Sequence, residues 1–511
     1  LNLTELFEFG IDYASNLTKL DLSFLSDRFA AEELQEDLRT LVAISEYAVE
    51  FGIVDVIFLG DAEINVNPVI EAVKLLEEMN ILTVTNDNIA ALVFNMFGPK
   101  LGIEEVTAAD FVDVNFAKEN AILVEIIKEV GALLEVEGLE TVAEVVSFVV
   151  DKDYLYVDKY EQIYSDEAID VVCNILKLAV SSDLVQLKLV EVFNYAVTLI
   201  PENLDVEFLK NSVATEELVS DVDVLIEIIK LAVEFGALDY VFTGNIEVVN
   251  LDILVKIVAL FEELNLLTNN NKQITALVYN LVYDKLGVNQ KARNASVVAE
   301  EFANINYANE NVKLQEVIAL VKNLQNDFEL TSLEDVIAFV KDGAYRDYKA
   351  FKPEVYTHAQ EIVNAVVDFE LVQYGLPTLL DLGLDKTNAA GVDLTYLSGV
   401  FNGAELASDI KVLVNEAVYW LRDLGVLDVL ETKELKGQYV GALADTVRAL
   451  KDVNLATYKQ ETLVTILTNL IYKNVIKYEG EITENYFDGI DWLAEIDNVA
   501  DAIDEFADIV E

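Results

Sequence analysis

The sequence predicts an all-α fold of tandem helical units of about 185 residues, and three observations carry that prediction. The first is recurrence. DLSFLSDRFAAEELQEDLRTLV (Asp21 to Val42) returns as DVEFLKNSVATEELVSDVDVLI (Asp205 to Ile226) and again as DLTYLSGVFNGAELASDIKVLV (Asp393 to Val414). The second is a scarcity of breakers: 5 prolines and 21 glycines in 511 residues leave room for helices and little for the turns of many short strands. The third is spacing. Ile169, Val172, Cys173, Leu176 and Val180 fall at steps of three and four, as do Leu254, Ile257, Val258, Phe261 and Leu264, which places each set on one helical face. Val and Ile are abundant and favour strands, but strict alternation is short and scattered.

The recurrence sets the expected boundaries. Residues 1–19 read as the end of a preceding unit, because LFEFGIDY (Leu6 to Tyr13) aligns with VEVFNYAV (Val190 to Val197). Residues 20–203 form the first unit, 204–391 the second and 392–511 an incomplete third, so the sequence reads as a window on a longer array. Each full unit has room for roughly eight helices at ordinary helix and loop lengths. No linker rich in Pro, Gly or Ser separates the units, which favours helical bundles packed in series; a continuous α-solenoid is the alternative.

Within a unit, each shared polar residue has a structural reading. The opening helix carries Glu33, Glu217 and Glu405 four residues before Asp37, Asp221 and Asp409, so each pair lies on one face. Such acids complement a helix N-terminus, and the same pairs are the weak candidates for a metal site. Gly52, Gly236 and Gly425 suit a left-handed helix end, and Asp55, Asp239 and Asp428 follow where the next helix needs a cap. Asn80, Asn265 and Asn454 are expected to close a helix or form a turn. Asn95, Asn280 and Asn469 sit in apolar helices, where a buried amide bonds to neighbouring backbone. Farther on, DFVDVNFAKEN (Asp110 to Asn120) parallels EFANINYANEN (Glu301 to Asn311), and Thr331 or Ser332 marks a later helix start.

Charge excludes several functions. With 92 acidic and 34 basic residues the net charge is −58, and no basic stripe is present for phosphate, so nucleic acid is not a partner. An anionic membrane surface repels such a chain, and no window holds the roughly 20 apolar residues of a membrane span. The expected counter-species are divalent cations or a basic partner. Lys far outnumbers Arg, and Ile, Asn and Tyr are plentiful. In composition and repeat style the chain resembles large repetitive surface proteins of low-GC bacteria, which implies an extracellular or cell-surface location, with the cytoplasm as alternative.

Catalytic equipment is sparse. The one histidine, His358, lies near a helix start and reads as a surface or capping residue; the one cysteine, Cys173, reads as a core thiol. They fall in different units, and no phosphate loop, HExxH or GxSxG occurs. DKDYLYVDKYEQ (Asp151 to Gln162) lacks the glycine and terminal glutamate of a calcium loop. No cofactor is expected beyond weakly bound Ca²⁺ at loose carboxylate clusters. Tyrosines crowd two matching stretches, Tyr154, Tyr156, Tyr160 and Tyr164 against Tyr345, Tyr348 and Tyr356, and these are the interface candidates. The expected role is therefore non-enzymatic: units packing on neighbouring units and copies of the same chain, in a stalk, layer or filament. The alternative is a binding scaffold or adhesin whose variable loops capture a protein or glycan.

Overall fold

The computed structural model describes residues 2–59, 61–150, 165–201, 204–237, 240, 244–286, 288, 296–342, 354–424, 437–476, 480 and 482–510. Among these the chain is all-helical, and its only extended pairing is an isolated bridge between Glu63 and Thr141. Two compact units divide it: Leu1–Phe242 with Glu263–Asn270, and Thr243–Glu262 with Asn271–Glu511.

The first unit holds α1 (Leu3–Thr18), α2 (Ala31–Glu50), α3 (Ile53–Leu59), α4 (Val66–Leu75), α5 (Asn80–Phe97), α6 (Phe116–Val136), α7 (Val142–Val150), α8 (Asp166–Ser181), α9 (Asp183–Thr198) and α10 (Thr215–Glu234). Residues 20–203 thus contain eight described helices, α2 to α9. A 3-10 turn lies directly ahead of α2, α6 and α10, at Ser23–Leu25, Ala108–Phe111 and Glu207–Leu209. Alternate helices stack: α2 on α4, α4 on α6, α6 on α8, α8 on α10. The apolar steps of three and four point into these contacts, as where Ile70 and Val73 of α4 meet Val124 of α6. A second cluster gathers Ala90 and Ala91 of α5 with Ile103, Val106 and the fully buried Phe111.

Where α2 ends, Gly52 takes φ +94°, and Gly236 after α10 takes φ +97°. A side chain is strained there, and a Cβ on Gly52 would also come within 2.8 Å of the Ala62 Cβ.

The second unit follows the same rules. It holds α11 (Leu251–Leu260), α12 (Asn265–Leu286, beyond its first turns), α13 (Tyr307–Asp327), α14 (Leu333–Asp342), α15 (Glu354–Val366), α16 (Glu370–Ala389), α17 (Gly403–Val418), α18 (Gly437–Ala449), α19 (Asn454–Thr457), α20 (Gln460–Ile471) and α21 (Trp492–Val510). Here 3-10 turns precede α13, α17 and α21, at Ala299–Phe302, Thr395–Leu397 and Glu484–Phe487. The stack runs α11 on α13, α13 on α15, α15 on α17, and α18 on α21. Aromatic rings fill part of its core: by ring centroid Tyr279 lies 5.1 to 5.4 Å from Tyr283, Phe302 and Tyr374, and Phe302 lies 4.6 Å from Tyr374.

Candidate functional site

Among the described residues, five of the six buried carboxylates serve helix starts. The first backbone N–H groups of a helix have no partner within it, so a start buried in protein needs acceptors from elsewhere. Asp37, 1% exposed on α2, supplies them to α5: its Oδ1 accepts the backbone N–H of Asn80 at 2.6 Å and the side-chain amide at 3.0 Å, and its Oδ2 accepts Ile81 N–H at 2.9 Å. Asp221 of α10 does the same for Asn265 (2.6 and 2.9 Å) and Leu266 (2.7 Å). Asp409 of α17 repeats it at Asn454 (2.7 and 2.8 Å) and Leu455 (2.9 Å). Asn80, Asn265 and Asn454 therefore open helices, where the sequence predicts that they close one or form a turn.

A second set of caps lies between these and went unremarked in the sequence. Glu119, buried on α6, accepts the Ser182 hydroxyl and, at 2.8 Å, the backbone N–H of Asp183, the first residue of α9. Glu310, buried on α13, accepts Glu370 N–H and Leu371 N–H, both at 3.1 Å, at the start of α16. One turn into each receiving helix a glutamine also reaches back to the preceding backbone, Gln186 to the Val180 carbonyl and Gln373 to that of Val367. The aspartates sit at the seventh helical position and the glutamates at the fourth, and along the chain the two kinds alternate: Asp37, Glu119, Asp221, Glu310, Asp409. The longer side chain starts from an earlier turn.

Glu33, Glu217 and Glu405 do not join their aspartates in a cation cage. Each turns back to cap its own helix, accepting the backbone N–H of Ala30 (2.8 Å), Ala214 (2.7 Å) and Asn402 (2.9 Å). Among the described residues no group of three or more His, Cys, Asp or Glu side chains is arranged to hold a metal ion. Asn95, Asn280 and Asn469 each exchange two hydrogen bonds with one backbone residue, Val106, Val297 and Ile482, at 2.8 to 2.9 Å. The bonding to neighbouring backbone is as expected of them, but the burial is not: Asn95 is exposed, and Asn280 and Asn469 are half-buried.

Three titratable groups remain. Glu137, just past the end of α6, is 5% exposed, and neither carboxylate oxygen has a hydrogen-bond partner. Burial pushes its carboxyl up to about 7. His358 is buried rather than on the surface: its Nε2 lies 2.8 Å from Asp327 Oδ2 at the end of α13, and its ring packs edge-on to Phe328. A partner 31 residues away in sequence overrides the helix-start reading. Cys173 is buried as expected, and burial pushes its thiol up, away from a reactive thiolate. Beside it lies a cleft of about 460 Å³ lined in part by Lys230, which bonds Asp170 at 2.6 Å.

An open, mainly apolar groove of about 910 Å³ lies elsewhere in the first unit. Leu82 and Val84 of α5, Phe116 and Leu123 of α6, and Leu184 and Val185 of α9 line it. Of the tyrosine candidates, Tyr356 lies half-buried on α15, while Tyr154, Tyr156, Tyr160, Tyr164, Tyr345 and Tyr348 fall outside the described residues, as do Asp239, Gly425 and Asp428. The fold and its buried polar groups define a helical protein whose best-ordered polar chemistry is spent on holding helices together. No protein-family model, curated protein or solved structure matches the chain.

Proposed function

We propose that this is a non-enzymatic structural repeat protein, in which acidic helical units of about 185 residues pack in series and build a cell-surface stalk, layer or filament. The observation that carries the reading is the set of five buried capping carboxylates in alternating Asp and Glu form. Two successive caps make one sequence period, so each unit contains two related halves. Stacking of alternate helices within each compact unit supports the solenoid variant of this architecture. A function that resides in packing needs such starts to be rigid. The net charge of −58 works against random aggregation, so association would require specific faces.

Negative-stain microscopy of the purified chain over a range of Ca²⁺ and salt is the test. Ordered polymers or sheets are expected; monodisperse particles under every condition would sink the structural reading. One observation favours the adhesin alternative, the open apolar groove over α6. Binding of a protein or glycan that is lost on substituting Val84 and Leu123 by Glu would move the conclusion there.

A further inference from the structure

The alternation of caps continues one step past the last filled one. Three features mark the approach to α6 and α13, and all three recur at α21. An asparagine exchanges two hydrogen bonds with backbone ahead of the 3-10 turn: Asn95 with Val106, Asn280 with Val297, Asn469 with Ile482. An Asn or Asp then caps the helix by accepting the N–H three residues on: Asn115 from Lys118 (3.2 Å), Asn306 from Asn309 (3.2 Å), Asp491 from Ala494 (3.3 Å). A glutamate follows that N–H directly: Glu119, Glu310 and Glu495.

The first two glutamates are buried on the start of α9 and of α16, whereas Glu495 is exposed, and among the described residues nothing donates to its carboxylate. One side of α21 is filled, since α18 packs on it and buries Ala500 completely, as α4 packs on α6 over Val124. Val499 and Phe506 of α21 are about half exposed, but their α6 counterparts Leu123 and Val130 also stay exposed, so Glu495 rather than these residues marks the unfilled side.

We propose that this end of α21 is a docking surface for a helical hairpin built like α8–α9, with Glu495 accepting the first backbone N–H groups of the hairpin's second helix. The occupant is specified by the counterparts: α6 receives α8 and caps α9, and α13 receives α15 and caps α16. This deepens the structural reading above and rests on it, because it names the contact by which one half-unit recruits the next.

The test appends residues 136–203 of this same chain after Glu511, which places them behind Glu495 in the register they have behind Glu119. Hydrogen exchange of α21 is followed by mass spectrometry in the original and extended chains. Extension is expected to slow exchange in α21 by at least about tenfold. Glu495→Ala should remove most of that gain in the extended chain and leave the original chain unchanged. Equal exchange with and without the extension, helical content per residue falling on extension, or an indifferent Glu495→Ala would each overturn the proposal and make α21 a closed end. Glu119→Ala in the original chain separates the two levels. If it fails to speed exchange in α9, the reading of buried carboxylates as packing anchors fails; if it succeeds while Glu495→Ala is silent, only the docking inference falls.

Discussion

The two ends of α6 bury two glutamates to opposite effect. Glu119 lies in the first turns, 8% exposed, with the Ser182 hydroxyl and the Asp183 backbone N–H donating to it. Glu137 lies just beyond the last turn, 5% exposed, with no donor at either oxygen. The helix macrodipole favours a negative charge at the first place and disfavours it at the second. The corresponding helix of the other unit, α13, keeps the first acid as Glu310 and has a phenyl ring at the second: Phe328 packs on Phe339 at 5.3 Å and on His358 at 6.4 Å between ring centroids. Burial alone therefore does not make a carboxylate an anchor. Donors do.

The sharpest way to break this comparison is to remove the anchored acid. Glu119→Ala leaves the half-buried Asp183 without the acceptor for its N–H, and a hydrogen bond to a charged group contributes on the order of 1.5–3 kcal/mol. A loss of about 3 kcal/mol is expected in urea unfolding followed by exchange within α6 and α9, with Glu119→Gln in between. A loss under about 0.5 kcal/mol would mean that Glu119 is a bystander.

At the other end the sign reverses. A carboxyl held near 7 in the folded chain, against an ordinary value of 4.5, binds its proton more tightly folded than unfolded. Its stabilising contribution is present below about pH 4.5 and is lost as pH rises towards and through 7. The ceiling on that loss is about 3 kcal/mol, at roughly 1.4 kcal/mol for each tenfold change in proton affinity. Asp110 and Asp335, lowered by hydrogen bonds from Thr107 and Ser332, act in the opposite sense and only at more acid pH. Comparing Glu137→Gln with the parent between about pH 5 and 8 isolates the contribution of this one carboxyl. The parent should lose stability relative to the variant across that window, and Glu137→Leu should be more stable than the parent at about pH 8 by about 2 kcal/mol. Parallel pH profiles for parent and Gln variant would show that Glu137 finds a partner in solution.

How much of this was legible follows from distance along the chain. The all-helical class was readable from apolar spacing, and the backbone-bonding amides of Asn95, Asn280 and Asn469 from their apolar surroundings, although Asn95 is exposed and the other two are only half-buried. Asp37, Asp221 and Asp409 stood out because they recur within one aligned segment, but their partners lie 43 to 45 residues away, and no local pattern says that an aspartate will cap a helix that far along. Glu119 and Glu310 were in plain view inside NFAKEN and NYANEN. They passed unremarked because the glutamate caps differ in residue and helix position from the aspartate ones, so the sequence repeats only every second cap. Glu137 was invisible, since its environment is set by packing alone.

Between the anchored and orphaned acids stands the neutral anchor. Asn95→Ala removes both bonds to Val106 and leaves one backbone N–H and one carbonyl without those partners. Two neutral bonds contribute less than a charged cap, so about 1.5–2 kcal/mol is expected, read from the same urea series, and Asn280→Ala should match it. A smaller loss at Asn95, the more exposed of the two, would show that solvent access outweighs their matched geometry.

The smallest effect separates an anchor from a surface cap on one helix. Glu33 and Asp37 are four residues apart on α2, but Glu33 bonds only the exposed N–H of Ala30, whereas Asp37 holds the start of α5. Glu33→Ala should cost only about 0.5 kcal/mol, against about 3 kcal/mol for Asp37→Ala. The same pair decides the calcium question. If the two carboxylates shared a cation, adding Ca²⁺ would raise the melting temperature of the parent and not of Glu33→Ala. With the Asp37 oxygens already accepting three N–H bonds, the expected result is one Ca²⁺ response for both proteins, and a response confined to the parent would make these acids metal ligands after all.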